Sequence, residues 1–258
     1  MSLTVQNWDC KKTVLSMVSE YNSLVEKKTK ANASSDEINL LINSSKNIKW
    51  TSDLINNLEK GKKLQVKQGA IRVCLRRPYT KEYLYYDSNF NWTHHLIPKI
   101  YPNTSLDNIV IYISGIGSSK TFSTSITDIT PDFQLLSNGQ GFPLYLYEKA
   151  EPDTGLFAQE GVEAEYQRRD AITDGALAHF HEAYPELSVS KEDIFYYIYG
   201  LLHSEEYREK YADNLSKQLP RIPRVKAAKD FTAFATAGRE LAQWHLNYEI
   251  ISLNTAAK

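Results

Sequence analysis

The spacing of apolar residues changes twice along this chain, and that change constrains the fold more than any single motif does. Val14, Leu15, Met17, Val18, Tyr21, Leu24 and Val25 recur at steps of three and four, which lines them along one helix face. In the middle third that period gives way to short β-branched and aromatic runs: Tyr83–Tyr86, the continuous Ile109–Ile113, Thr121–Thr127 and Phe142–Tyr147. Such runs suit strands, and a continuous one suits a strand covered on both faces. Gly115, Gly117, Gly139 and Gly141 punctuate them. Helical spacing then returns. Ser190 followed by Glu192 and Asp193 is a start signal leading into Ile194, Phe195, Tyr197, Ile198, Leu201 and Leu202. A second helix begins at Ser204-Glu205-Glu206 and must stop before Pro220, and a third covers Lys229 to Tyr248. Segregated order of this kind predicts an α+β fold rather than an alternating one. Its parts are a helical N-terminal segment, a central mixed β-rich region with loops, and a helical C-terminal part. Residues 1–45 are expected to form the N-terminal segment and residues 46–258 the main domain. The polar stretch Lys27–Asp36 reads as a linker or loop. Ser52 reads as the cap of a short helix through Lys60, with Gly61 at its exit.

Composition excludes several classes. The formal charge is −1, so the chain is neither polybasic nor an acidic tail. Its two cysteines, Cys10 and Cys74, exclude a disulfide framework and a Cys-rich zinc site. The longest apolar run, Ile194–Leu202, has nine residues, where a bilayer span needs about 20. Met1–Thr4 lacks the basic-then-apolar pattern of a signal peptide. A cytoplasmic protein with no membrane partner is the expectation. The near-neutral total, however, is a sum of opposed blocks. Lys46–Lys81 carries ten bases and two acids (+8), Glu148–Asp193 four bases and twelve acids (−8), and Tyr207–Arg239 eight bases and three acids (+5). Such blocks either pair locally on solvated helices or build a positive face that attracts phosphates.

No self-contained catalytic set is visible. Gly115-Ile116-Gly117-Ser118-Ser119-Lys120-Thr121 follows a strand and looks like a phosphate loop, but Ser119 stands where a glycine must precede the lysine. An independent nucleotide-binding enzyme would rest on that loop alone; contact with a nucleic-acid backbone is the other use for its hydroxyls and lysine. The histidines, among them the adjacent His94 and His95, lack metal-site spacing. Pro131-Asp132 is not followed by the Glu-x-Lys of a metal-dependent nuclease, and no two prolines are adjacent, which excludes the Pro-Pro-Tyr motif of adenine methyltransferases. Arg76-Arg77-Pro78-Tyr79-Thr80-Lys81 places three cations and an aromatic in six residues. It is either a structural turn or a contact for phosphate and guanine. Leu219-Pro220-Arg221-Ile222-Pro223-Arg224 should be stiff and extended, holding its arginines in place.

Several of these segments carry a resemblance. They are Arg77-Pro78-Tyr79 with Leu84-Tyr85-Tyr86-Asp87; Thr127–Phe133 with Phe142-Pro143-Leu144-Tyr145; Asp193–Ser204 with Tyr207-Arg208; Leu219–Pro223; and Gly238–Ala242. In this order, over roughly Lys46 to Tyr248, the chain resembles the C-terminal specificity domain of type ISP restriction–modification enzymes. The resemblance implies a target-recognition domain over residues 46–258, with the N-terminal segment continuing from a methyltransferase side. It implies double-stranded DNA as a partner, alongside methyltransferase, helicase and nuclease domains of one polypeptide. S-adenosylmethionine, ATP and Mg would then belong to those other domains, with no cofactor, metal or catalytic residue here. The candidate DNA contacts are Arg76, Arg77, Lys81, Lys120, Arg221 and Arg224, with Ser118, Ser119 and Thr121 as loop contacts. The alternative is an interaction module whose aromatic helices, Ile194 to Trp244, dock on a methyltransferase core.

Overall fold

The computed structural model describes residues 3–91, 95–118, 120–132, 134–150 and 166–251. The chain divides into two compact units, one of Met1–Cys74 with Lys81–His95 and one of Leu75–Thr80 with Leu96–Lys258.

The first unit is built on α1 (Leu3–Ala31). Val14, Val18, Tyr21, Leu24 and Val25 are buried, as their spacing requires. The helix runs through most of the stretch that reads as a linker. Lys27 and Lys30 are exposed and Lys28 is half-buried, so polarity does not stop it, and the break comes at Asn32, whose φ is +47°. Ser34 then opens α2 (Ser35–Ser44), its backbone N–H donating to the Glu37 carboxylate at 2.7 Å. The cap of α3 (Ser52–Glu59) is Thr51 rather than Ser52: its hydroxyl accepts from the Leu54 N–H at 3.2 Å. Gly61 takes the left-handed exit at φ +68°. Tyr21 crosses this core and donates to the Lys62 carbonyl at 3.1 Å. A hairpin follows, β1 (Ile71–Arg77) and β2 (Thr80–Tyr85). Just beyond it, Asp87 is 3% exposed and pairs with Lys67 at 2.7 Å. Burial alone would push this carboxyl up, but Lys67 and the Asn89 donors outweigh it and hold it low.

The second unit contains the tip of that hairpin, the short α4 (Ile97–Ile100), and β3 (Val110–Ile113), whose four residues are all buried. Strand β3 lies between β4 (Thr124–Thr127) and, beyond the two-residue β5 (Thr130–Pro131), β6 (Gln140–Pro143); both pairings are antiparallel. The segment expected as one strand from Phe142 breaks at Leu144, and β7 (Tyr145–Lys149) pairs instead with β8 (Tyr166–Asp170). Helices close the chain: α5 (Asp174–Ala183), α6 (Lys191–His203), α7 (Glu205–Lys210), α8 (Ala212–Leu215) and α9 (Ala228–Leu246). Ser190 caps α6 through the Asp193 N–H at 3.0 Å, and Asp193 answers the Ser190 N–H at 3.0 Å. The helix expected from Ser204 towards Pro220 is instead two short ones. Asp213, Asn214 and Ser216 supply no apolar face to carry it further.

Helices α6 and α9 pack backbone to backbone. A Cβ on Gly200 would lie 2.4 Å from the Phe234 carbonyl oxygen, and one on Gly238 2.0 Å from that of Tyr196. Arg239 locks the crossing, reaching Glu192 at 2.6 Å and Asp193 at 2.9 Å while lying over the Tyr196 ring at 4.3 Å. Buried Phe180, Tyr184, Tyr197 and Phe231 pack ring against ring beside it. Among the described residues no helix is long and apolar enough to cross a membrane.

Candidate functional site

Most of the candidate contact residues fall on three segments of the second unit. The hairpin tip carries Arg76 and Arg77, both exposed. Its turn puts Tyr79 at φ +61°, a costly place for an aromatic. Packing offsets that cost: the ring meets His245 at 5.7 Å and Tyr248 at 5.1 Å. Arg77 curls back, donating to the Arg76 carbonyl at 2.8 Å and to the Gln134 carbonyl at 3.4 Å.

The glycine loop is fastened on two sides. Gly115 N–H donates to Ser137 at 2.9 Å and Gly117 N–H to Ser216 at 3.3 Å. A Cβ at Gly115 would sit 1.7 Å from the Asn138 carbonyl oxygen, so only glycine fits there. Ser118 N–H returns to the Gly115 carbonyl at 3.3 Å and Lys120 N–H goes to the Ser118 hydroxyl at 3.1 Å. These amides are spent inside the protein, whereas a phosphate cradle needs them pointing outward. The loop's own bonds therefore weigh against the nucleotide reading. Ser119 lies outside the described residues; Lys120 and Thr121 are exposed.

The third segment runs from Leu219 to Val225 and is held by tyrosines. Tyr207 donates to the Arg221 carbonyl at 2.8 Å, Tyr197 to the Pro223 carbonyl at 2.6 Å, and Tyr184 to the Val225 carbonyl. Every second carbonyl thus turns inward onto a core hydroxyl. Burial raises all three phenol groups, Tyr197 to about 12, so they stay protonated donors. Arg221 and Arg224 stay exposed on this fixed strip, Arg224 donating to the His179 carbonyl at 3.4 Å.

Ion pairing separates the cations further. In the second unit Lys99, Arg169, Lys191 and Arg239 are neutralised by carboxylates. Lys120, Lys217, Arg221 and Arg224 are exposed and carry no ion pair among the described residues, a property they share with Lys149, Lys210, Lys226 and Lys229. Lys217, next to the loop's anchor Ser216, is a member that sequence reading missed. Lys81 belongs to the first unit. The turn 134–139 touches both the hairpin tip and the glycine loop, and Ser216 joins that loop to the stretch leading to Arg221. The three segments are therefore linked through shared backbone contacts.

His203 and His245 serve packing. Tyr199 and His245 Nδ1 are 2.6 Å apart, and His203 Nδ1 lies 3.0 Å from the Tyr199 carbonyl. Burial drives His203 down to about 4 and lowers His245. His94 lies outside the described residues. No group of three His, Cys, Asp or Glu that could hold a metal ion occurs among the described residues. Helix α6 spends seven apolar or aromatic residues on this chain's own core. The docking alternative therefore retains little beyond Trp244, 58% exposed.

Comparison with known proteins decides the family. A family model described as the Type ISP C-terminal specificity domain matches residues 3–257. The chain belongs to that family. As a specificity domain it is similar to part of three solved structures. With the DrdV–DNA complex, determined by cryo-electron microscopy, it shares 31% identity at a TM-score of 0.78, over 93% of this chain and 21% of that one. With the ATP-dependent Type ISP restriction–modification enzyme LlaBIII bound to DNA it shares 28% identity at 0.76, over 94% and 14%. With a nuclease-deletion mutant of the Type ISP enzyme LlaGI, in complex with a DNA substrate mimic, it shares 28% at 0.71, over 93% and 20%. This specificity domain thus spans about a fifth or less of each chain it resembles. No curated protein matches it. The stretches that carry the resemblance are largely those that build the core: Tyr196, Tyr197 and Tyr199 are buried, Gly238 forms the crossing, and Tyr207 clamps the third segment.

Proposed function

We propose that this specificity domain reads the DNA sequence for a Type ISP-like restriction–modification enzyme. It would present double-stranded DNA to an adenine N6-methyltransferase domain outside this chain. In this reading the domain catalyses nothing itself and works in the cytoplasm. S-adenosylmethionine, ATP and Mg serve the methyltransferase, helicase and nuclease domains of the same polypeptide. One observation carries the reading: the family match spans nearly the whole chain, and the similar solved structures are DNA complexes.

The geometry supports it in kind. Lys120, Arg221 and Arg224 are exposed, have no ion pair among the described residues and lie on segments whose backbones are pinned, so binding phosphate costs little ordering. Arg221 and Arg224, with Lys120 and the loop residues Ser118, Ser119 and Thr121, form the proposed contact set, and Arg76 and Arg77 of the same unit extend it; Lys81, in the first unit, is a separate candidate. A titration of the chain against a long duplex at two salt concentrations tests this. Affinity should fall steeply with salt, and Lys120→Ala with Arg221→Ala and Arg224→Ala should flatten the slope by about 0.9 for each phosphate no longer neutralised. No binding at low salt, or a triple variant with an unchanged slope, would count against this site.

A further inference from the structure

The glycine loop presents a side chain that phosphate binding does not explain. Ile116 is 48% exposed and sits between Gly115, fastened to Ser137, and Gly117, fastened to Ser216. Gly117, at φ +73°, makes the turn sharp. A β-branched side chain on a doubly pinned turn has little freedom to lose on binding. Two cations stand close to it along the chain and its anchor: Lys120 lies four residues on, and Lys217 adjoins Ser216, with Leu219, 39% exposed, two residues further. Neither lysine has an ion pair among the described residues. A protein-docking face would surround an exposed isoleucine with further apolar surface and few unpaired lysines. A polyanion with an apolar interior between its charged rails fits this arrangement better, and duplex DNA is one.

We propose that Ile116 makes an apolar contact with duplex DNA, packing on sugar and base edges inside a groove, while Lys120 and Lys217 hold the flanking phosphates. This rests on the DNA-reading function above and assigns the glycine loop its part in it.

The test uses the full chain and a labelled duplex carrying the sequence it recovers from a randomised pool. Ile116→Ala should weaken binding about fivefold or more at low and at moderate salt alike, leaving the salt slope unchanged. Ile116→Leu should restore most of the affinity. Lys120→Ala with Lys217→Ala should instead flatten the slope by about 1.8. Ile116 is exposed, so the variants should keep the parent's circular dichroism and melting temperature. If Ile116→Ala binds like the parent while the lysine pair weakens binding, the apolar contact is overturned. If neither change matters, the loop faces something other than DNA and the whole assignment of the loop falls. If the parent chain recovers no duplex, the DNA-reading function itself fails, and that result is distinct from a failure of the loop.

Discussion

The Tyr197 hydroxyl makes two bonds, donating to the Pro223 carbonyl at 2.6 Å and accepting from the Val225 N–H at 3.3 Å. Tyr197→Phe keeps the ring packing but strands a carbonyl and an amide. Stability should fall by about 1–3 kcal/mol, and hydrogen exchange at Val225 should quicken before the core amides do. The same change should weaken DNA binding, because Arg221 and Arg224 ride on that strip. His203 sets a pH dependence. Its folded value, about 4, lies below the ordinary 6.5, so the unfolded chain binds the proton more readily. Stability is therefore intact above pH 6.5 and is lost as pH falls from 6.5 towards 4. Urea midpoints at pH 7.5 and 5 should differ in the parent and differ less in His203→Gln. At this scale the residue types of the candidate contacts are legible in the sequence. Which cations lack a carboxylate partner is not, because it depends on where distant acids such as Glu192 come to rest against Arg239. That is why Lys217 does not stand out there.

The helix pair α6–α9 tolerates no side chain at its crossing. Gly238→Ala drives a methyl into the Tyr196 carbonyl, 2.0 Å away. The backbones must separate, and a loss of about 3 kcal/mol or more is expected, read as a lowered urea midpoint and melting temperature. An alanine on the solvent side of α9, for example Thr236→Ala, should change the midpoint little. Elements whose cause is local are readable: the spacing in α1, the Ser190 start of α6, the buried run of β3. Those whose cause is a distant partner are not. Strand β8 is polar and mostly exposed, and it exists because Tyr166–Asp170 pairs with Lys149–Tyr145. Strand β1 carries Ile71, Val73 and Leu75 at every second position, but the residues between them are Arg72 and the buried Cys74, so its apolar signal is broken and hidden inside the basic block. The polar end of α1 resembles linker because lysines there reveal only that the surface is wet, not that the backbone stops being helical.

Across the whole chain, the three opposed blocks sum to +5 and the remaining residues to −6, which leaves −1, and that total conceals what the local arrangement offers a polyanion. The acidic block is spent partly within the fold: Glu148 holds Arg169, Asp170 and Asp174 hold Lys191, and Glu192 and Asp193 hold Arg239. The exposed lysines and arginines of the loop and the tyrosine-held strip are left over. The order of helical and β-rich regions foretells the α+β architecture, and the ordered motifs point to the family. The division into two compact units, with the hairpin tip assigned apart from its base, depends on tertiary contacts that no local spacing encodes. Selection from a randomised duplex pool by the full chain, followed by sequencing of the bound fraction, tests the central claim most directly. A specificity domain should enrich one short motif, and a scrambled copy of it should bind about a thousandfold or more weaker at physiological salt. A bound fraction indistinguishable from the input pool would contradict sequence reading by this chain.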